Sequence, residues 1–225
     1  MDVHAINSRD GKNRSSHSFR IAYLLAVSTA VAFSPFVLYA ETVTATIGAG
    51  TYPYAVAVNP VTNRIYVAYI WSHFVMVIDG ATNATRTVSV GSYPIAVAVN
   101  PVTNRIYVAN SGSNNVTVID GATNAVSEVS AGTYPNAVAV NPVTNKIYVA
   151  NRTSNNVTVI DGATNAVSEV SAGTYPNAVA VNPVTDQIYV ANYGSDTVTV
   201  INGATNTTST VTVGVNRSSG ILCVN

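Results

Sequence analysis

Charged side chains are scarce in this chain. They make up 9% of its 225 residues, and ten basic and ten acidic residues balance to a formal net charge of zero. Four of the basic residues precede residue 21, which leaves six basic and eight acidic residues from position 41 onward. A nucleic-acid-binding surface needs a basic face. The sequence therefore predicts no nucleic-acid partner.

Cysteine and histidine are almost missing too. The single cysteine, Cys223, excludes a disulfide framework within the chain, and we interpret it as a small apolar residue in a strand. His73 is the only histidine after residue 40, which excludes a histidine-rich metal site. No serine lies in a nucleophile-elbow setting. We therefore expect no metal, no cofactor and no enzymatic activity.

Long hydrophobic runs are absent apart from one near the N-terminus. Residues 1–20 are polar and basic, residues 21–33 are apolar and uncharged, and small residues lead up to Ala40. This order predicts a secretory signal peptide over residues 1–40, cleaved after Ala40. An uncleaved anchor over residues 21–40 is the alternative, although Pro35 would interrupt its helix. We expect a protein exported to the periplasm, the cell surface or the medium, with no membrane span after cleavage.

The remaining sequence is one repeat copied four times. Its proline recurs at a constant spacing of 41 residues, at Pro53, Pro94, Pro135 and Pro176. An Asn-Pro pair and an Ile-Tyr-Val run keep the same step. A period of this length is typical of propellers and solenoids. It is a strong indication of architecture and a weak one of function.

Each repeat contains four strand patterns and no helix pattern. In the third copy they cover residues 136–141, 146–151, 157–161 and 166–171. The first pattern is apolar and small, whereas the fourth alternates with polar residues, which places the first innermost and the fourth on the rim. Four antiparallel strands arranged radially form a β-propeller blade. The tyrosines of the Ile-Tyr-Val runs are then interblade packing residues: Tyr66, Tyr107, Tyr148 and Tyr189.

The ends of the repeat region predict an open or incomplete ring. We expect about four complete blades at residues 51–91, 92–132, 133–173 and 174–214, an outer strand at 41–50 and a partial inner strand at 215–225. An inner and an outer strand are not neighbours, so the two ends cannot form a blade together. The exposed blade faces would need a partner. A homo-oligomer that closes the ring and a truncated gene product are both open interpretations.

The IYVAN segments at 106–110 and 147–151, each followed by NNVTVIDGATN, resemble the YVTN-repeat β-propeller family of secreted, cell-surface and surface-layer proteins. The resemblance covers residues 42–214. It implies a propeller fold and an extracellular location, with binding or scaffolding as the default role. It implies no catalytic residues.

A candidate ligand site follows from comparing the repeats with one another. The loop between strands two and three varies most. Because strand direction alternates, it opens on the same face as the tyrosines that precede the repeated prolines. Aromatic rings with scattered polar groups suit sugars, peptides or small amphipathic ligands. The alternative is that the tyrosines only pack between blades. The candidate residues are Trp71, His73, Arg152, Tyr193 and Asp196, with Tyr52, Tyr93, Tyr134 and Tyr175.

Three functions remain open at this point. The first is a non-catalytic binding or scaffold module for protein or glycan ligands. The second is a surface-coat or adhesive assembly module. The third and least favoured is a propeller enzyme resembling a lactonase or lyase. Asp79, Asp120 and Asp161 repeat in register, but Asn202 replaces the fourth copy without altering the turn. We therefore interpret these carboxylates as structural.

Overall fold

The computed structural model describes residues 45–48 and 51–213, which are all-β. Within these residues there is no helix that is long and apolar enough to cross a membrane. The chain divides into two compact units, Met1–Pro53 and Tyr54–Asn225. Residues 45–48 lie outside any strand. The predicted signal peptide (1–40), the remainder of the predicted outer strand and the predicted partial strand (215–225) lie outside the described residues, so they stay predictions.

Within residues 51–213, sixteen strands form four separate sheets of four strands, in the order expected for propeller blades. The first blade contains β1 (Pro53–Asn59), β2 (Arg64–Tyr69), β3 (Phe74–Asp79) and β4 (Thr85–Ser89). The second contains β5 (Pro94–Asn100), β6 (Arg105–Asn110), β7 (Asn115–Asp120) and β8 (Val126–Ser130). The third contains β9 (Pro135–Asn141), β10 (Lys146–Asn151), β11 (Asn156–Asp161) and β12 (Val167–Ser171). The fourth contains β13 (Pro176–Asn182), β14 (Gln187–Asn192), β15 (Thr197–Asn202) and β16 (Thr208–Thr212).

Every blade is an antiparallel meander in one register. In the third blade Tyr148 lies opposite Ala139 on one side and Val159 on the other. Successive side chains of a strand point to opposite faces of its sheet, so each blade has two apolar faces. We call the face toward the following blade the trailing face and the other the leading face. Outer strands are mostly exposed, which confirms that the alternating fourth strand lies on the rim.

The hydrophobic core lies between blades. At the first junction the trailing-face residues Tyr66, Val77 and Val88 pack with the leading-face residues Ile106, Val108 and Ile119 of the second blade. The next two junctions repeat this cluster. Tyr66, Tyr107 and Tyr148 are fully buried there, which confirms the interblade interpretation of these tyrosines. Burial of such apolar surface contributes about 25 cal/mol per Å².

Polar side chains join the same blades at one edge of each junction. The Asn100 side-chain amide donates to Asn145 Oδ1 of the third blade at 2.8 Å, while its own Oδ1 accepts from the amides of Val102 and Thr103. Asn59 makes the corresponding interblade bond to Asn104, and Asn141 makes it to Asp186. The basic residue that starts each second strand donates to the turn carbonyl of the next blade: Arg64 to Gly121, Arg105 to Gly162 and Lys146 to Gly203.

None of the described blades covers the trailing face of the fourth blade. Val211 is 51% exposed, whereas its equivalents Val88, Val129 and Val170 are 8%, 5% and 7% exposed. Tyr189 and Val200 on this face are only half-buried. The four described sheets are therefore not closed into a ring, as the sequence predicted.

The contribution of the interblade asparagine bond to stability can be measured against a control residue in the same chain. Asn182 makes the same turn bonds to Val184 and Thr185 as Asn100 makes to its own turn, but no described residue accepts its side-chain amide. We expect Asn100→Ala to lower the free energy of unfolding by about 1–3 kcal/mol, because the part-buried Asn145 Oδ1 loses its hydrogen-bond donor. Asn182→Ala should cost clearly less. Urea unfolding followed by circular dichroism measures both, and equal losses would contradict an interblade role.

Candidate functional site

Two sets of loops meet on one face of the blades, which we call the loop face. They are the loops from the second to the third strand (residues 70–73, 111–114, 152–155 and 193–196) and the segments that enter each blade. Backbone hydrogen bonds join them: the amides of Ser111 and Tyr193 donate to the carbonyls of Tyr93 and Tyr175, both at 3.0 Å. The variable loops of these blades and the tyrosines that precede the repeated prolines therefore lie side by side, as strand direction predicted.

The four entry tyrosines hold an unfavourable backbone conformation. Their φ angles are 60°, 53°, 59° and 53° for Tyr52, Tyr93, Tyr134 and Tyr175. A bulky non-glycine residue in this region costs on the order of 1–3 kcal/mol and persists only where its surroundings impose it. The rings still remain 40–56% exposed. The conformation thus keeps an aromatic ring at the surface of every described blade entrance.

Contacts from the same blade fix two of these rings. A Cβ added to Gly112 would overlap Tyr93 Cδ2, and one added to Gly194 would overlap Tyr175 Cδ2. A side chain at either of these two loop positions would have to displace the tyrosine ring, which lies directly against the backbone. These two contacts lie within one blade rather than between blades, and Tyr93 and Tyr175 remain 40% and 46% exposed.

The first junction differs from the two that follow. At the later junctions an asparagine of the preceding blade accepts the tyrosine amide, Asn114 from Tyr134 and Asn155 from Tyr175, both at 2.9 Å. His73 occupies this position in the first blade, and its ring centroid lies 6.1 Å from that of Tyr93. Trp71 contacts Tyr93 edge to face at 5.1 Å and 85°. Trp71, His73 and Tyr93 form what we call the first-junction cluster.

The first blade also replaces a polar network by an apolar one. In the second blade the Asn110 side-chain amide donates to Asn115 and Thr117, both at 2.9 Å. The equivalent residues of the first blade are Tyr69, Phe74 and Met76. The Tyr69 ring lies 4.9 Å from Phe74, and its hydroxyl donates to Met76 Sδ at 3.5 Å. Burial raises the pKa of the Tyr69 hydroxyl to about 12.

Sequence reasoning missed this substitution and one neighbouring residue. Tyr69 and Phe74 looked like the ends of a variable loop, although Tyr69 is fully buried. Tyr54 is 59% exposed at a position occupied by Ile95, Asn136 and Asn177 in the other blades. Comparing each repeat position across all four copies, rather than the loops alone, is the signal that finds these residues.

The other predicted residues lie elsewhere on the loop face. The Arg152 guanidinium lies 5.7 Å from the centroid of the Tyr175 ring, a cation–π contact at the third junction. Tyr193 is 56% exposed in the loop of the fourth blade, where Asp196 takes the position of His73. Tyr134 lies at the second junction. Tyr52, also 56% exposed, belongs to the N-terminal compact unit. The structure thus brings together Trp71, His73 and Tyr93 at the first junction, and Arg152 and Tyr175 at the third.

The repeated aspartates form turns on the opposite face. Asp120 Oδ1 accepts hydrogen bonds from the amides of Thr123 and Ala122 and from the Thr123 hydroxyl. These bonds, the Thr123 amide first, lower the pKa of the Asp120 carboxyl. Asn202 makes the same two amide bonds, to Ala204 at 3.0 Å and Thr205 at 3.1 Å. The turn therefore needs an acceptor oxygen rather than an ionised group.

Residues 45–48 and 51–213 contain no group of three or more His, Cys, Asp or Glu residues placed to hold a metal ion. A cavity of about 150 Å³ lies in the first blade and is lined by Arg64, Asp79 and Arg86 among others. None of the predicted site residues lines this cavity, and the Asp79 carboxylate beside the two arginines weakens it as an anion site.

Comparisons with known proteins support the fold. No family model and no curated protein matches the chain, so membership of the YVTN-repeat family stays a prediction. Kuenenia stuttgartiensis hydrazine synthase matches with a TM-score of 0.63 at 23% identity, over 71% of this chain and 49% of that one. A functionally unknown protein from Desulfotomaculum acetoxidans matches with a TM-score of 0.66 at 19% identity, over 78% and 60%.

A chain of the nidogen/laminin complex matches with a TM-score of 0.61 at 13% identity, over 75% of this chain and 67% of that one. These likenesses show a shared β-propeller-type fold and nothing finer. The chain spans 49% and 60% of the first two structures that it matches.

The turn aspartates predict a specific acid response. Because their folded-state pKa values lie below the ordinary 3.8, their stabilisation is present above that value and is lost as pH falls through the lowered pKa. Replacing Asp79, Asp120 and Asp161 by asparagine, as position 202 already has, should leave the neutral-pH circular dichroism unchanged. The triple variant should lose less stability than wild type between about pH 4 and pH 2. An identical acid-unfolding curve would contradict this account.

Proposed function

We propose that the protein is an exported, non-catalytic binding module that holds a protein or glycan ligand on its loop face. One observation carries this proposal: four nearly identical blades differ most where Trp71, His73 and Tyr93 meet. A residue needed only for blade stacking would resemble its repeat equivalents, as the interblade residues Tyr66, Tyr107 and Tyr148 do. Trp71 and His73 differ from their repeat equivalents and remain exposed beside Tyr93, which all four blades share.

The chemistry of the cluster suits recognition. Trp71 is 59% exposed and Tyr93 is 40% exposed, although both rings contact each other. Rigid aromatic side chains supply a large contact area at low entropic cost, and tryptophan and tyrosine are enriched among residues that dominate binding energy. The imposed φ of Tyr93 and the contact with Gly112 hold one ring in place before any ligand arrives.

Two further observations support export and binding. Residues 1–40 carry the sequence pattern of a secretory signal peptide. A chain of similar fold takes part in the nidogen/laminin complex, which is consistent with a protein-binding role for a propeller of this kind. The polar turns of the opposite face are occupied by their own hydrogen bonds, which leaves the loop face as the better candidate surface.

The test uses variants from matching loops. The purified protein is applied to arrays of extracellular proteins and of glycans, and Trp71→Ala and Tyr193→Ala are compared with Thr153→Ala, which changes the Trp71 equivalent in the third blade. We expect Trp71→Ala to weaken binding by about tenfold or more, because an exposed aromatic anchor is lost. Thr153→Ala should bind like wild type. Full retention of binding by both aromatic variants, with unchanged circular dichroism, would refute the proposal.

The uncovered trailing face of the fourth blade favours a second function, self-assembly. Tyr189, Val200 and Val211 present an apolar surface that the other blades cover with a repeat of the same kind. On the first blade the leading-face residues Ile65 and Val67 are already buried, at 4% and 0% exposure. A second copy would therefore offer its own uncovered trailing face, and the contact would be two-fold symmetric.

Light scattering tests assembly with a pair of valine variants. We expect the wild-type protein to reach the mass of a dimer as its concentration rises, because apolar surface leaves water. Val211→Glu should shift it to a monomer, since a charge would enter the interface. Val184→Glu, at a loop valine that is 92% exposed, should behave like wild type. A monomer for all three proteins throughout the concentration range would exclude this assembly.

A further inference from the structure

The loops around the first-junction cluster carry no fully ionised side chain. Residues 70–73, 91–93 and 111–114 consist of aromatic, aliphatic, serine, glycine and asparagine residues, with His73 the single titratable group apart from tyrosine. The loop of the third blade instead carries Arg152, and that of the fourth carries Asp196. The first junction is therefore the described part of the loop face that offers no salt bridge to a charged ligand.

Several polar groups of the first-junction cluster and its loop make no hydrogen bond to another described residue. Within residues 51–213 no hydrogen bond is made by the Trp71 indole N–H, the His73 ring nitrogens, the Ser72 hydroxyl or the Tyr93 hydroxyl. By contrast, the Ser111 hydroxyl donates to the Tyr93 carbonyl at 3.1 Å and belongs to the scaffold. The surface thus presents donors and acceptors beside open ring faces, with no formal charge.

Neighbouring residues hold the first-junction cluster in place. Trp71 and Tyr93 meet at 85°, so their ring planes form a corner rather than a flat stack. Tyr69 and Phe74 fill the base of the same loop with apolar contacts. Hydrogen bonds from the Ser111 and Gly112 amides to the carbonyls of Tyr93 and Ser92, both at 3.0 Å, fix the entry segment. Such preorganisation lowers the entropic cost of binding.

We propose that the first-junction cluster binds a neutral oligosaccharide. This inference rests on the proposed binding function and names its ligand class. A sugar ring is uncharged, has an apolar C–H face that packs on an aromatic ring, and carries hydroxyl groups at its edge. The C–H face packs against Trp71 or Tyr93, while the hydroxyl groups bond to His73, Ser72 and the Tyr93 hydroxyl. A peptide rich in charged residues finds no counter-charge at this junction.

The sole tryptophan of the chain makes the site directly observable, because all tryptophan emission comes from Trp71. The full-length protein is titrated with the hexasaccharides of cellulose and of chitin, and in parallel with a heparin oligosaccharide and an uncharged proline-rich peptide. We expect a neutral hexasaccharide to change the emission, with a Kd that differs by less than about twofold between about 0.05 and 1 M salt, since no ion pair is formed. Heparin should leave the emission unchanged.

Variants then connect the signal to the cluster. Tyr93→Ala should weaken binding of the neutral hexasaccharide by about tenfold or more, and Tyr93→Phe should weaken it less, because the ring remains and only the hydroxyl is lost. Thr153→Ala, which changes the repeat equivalent of Trp71 in the third blade, should bind like wild type. Calorimetry with Trp71→Ala, which has no tryptophan signal, should show a loss like that of Tyr93→Ala.

Three results would overturn the inference. Emission changes with the proline-rich peptide but with neither neutral hexasaccharide would reject the sugar and leave the proposed binding function standing. Hexasaccharide binding that Tyr93→Ala and Trp71→Ala both retain would place the sugar elsewhere on the protein. No response to either class, together with no loss on the arrays for Trp71→Ala, would remove both the inference and the function on which it rests.

Discussion

The packing of one blade on the trailing face of the preceding blade is the contact on which this structure depends, and it occurs at three described junctions. The cover is apolar in the middle, where Tyr107 and its neighbours exclude water, and polar at one edge, where Asn100 bonds across to Asn145. Apolar burial supplies most of the stabilisation, whereas the asparagine bond fixes the register of one blade on another. In a repeat protein such nearest-neighbour contacts account for most of the cooperativity. The exposure of Val211 shows what a blade looks like without that cover.

The stability of this scaffold comes from the packed faces of its blades, so the residues of its loops can differ from one blade to the next. The core positions must repeat because each packs against a copy of the same surface, whereas the loop residues contact an entry segment or the start of their own third strand. The first blade uses this freedom twice: Tyr69 and Met76 replace a hydrogen-bonded network inside, and Trp71 and His73 replace small or polar residues outside. Of the three described junctions, the first therefore carries the cluster of Trp71, His73 and Tyr93. This difference from the other junctions is the reason for placing the proposed binding role there.

The fold was largely predictable from the sequence, and the site only in outline. Strand limits agree to within a residue, as at Asn156 and Val167, because a 41-residue period and strict alternation leave few alternatives. That the variable loops lie beside the tyrosines follows from strand direction alone. Which side chains meet does not follow, because the pairing of Arg152 with Tyr175 depends on the rotation between blades and on rotamers. Tyr69 was missed because a residue at the end of a loop shows no sign of burial within its own repeat, and it stands out only against the asparagines at the equivalent positions.

Hydrogen exchange resolved by strand tests the dependence of each blade on its neighbour most directly. The amides of β6 and β10 lie in blades covered on both faces, whereas those of β14 lie in a blade with one open face. Protection should therefore be highest in β6 and β10 and lower by a clear margin in β14 and β15, since opening free energies follow local burial. Equal or greater protection of β14 and β15 would contradict the account, because stability would then not come from the covering of one blade by the next.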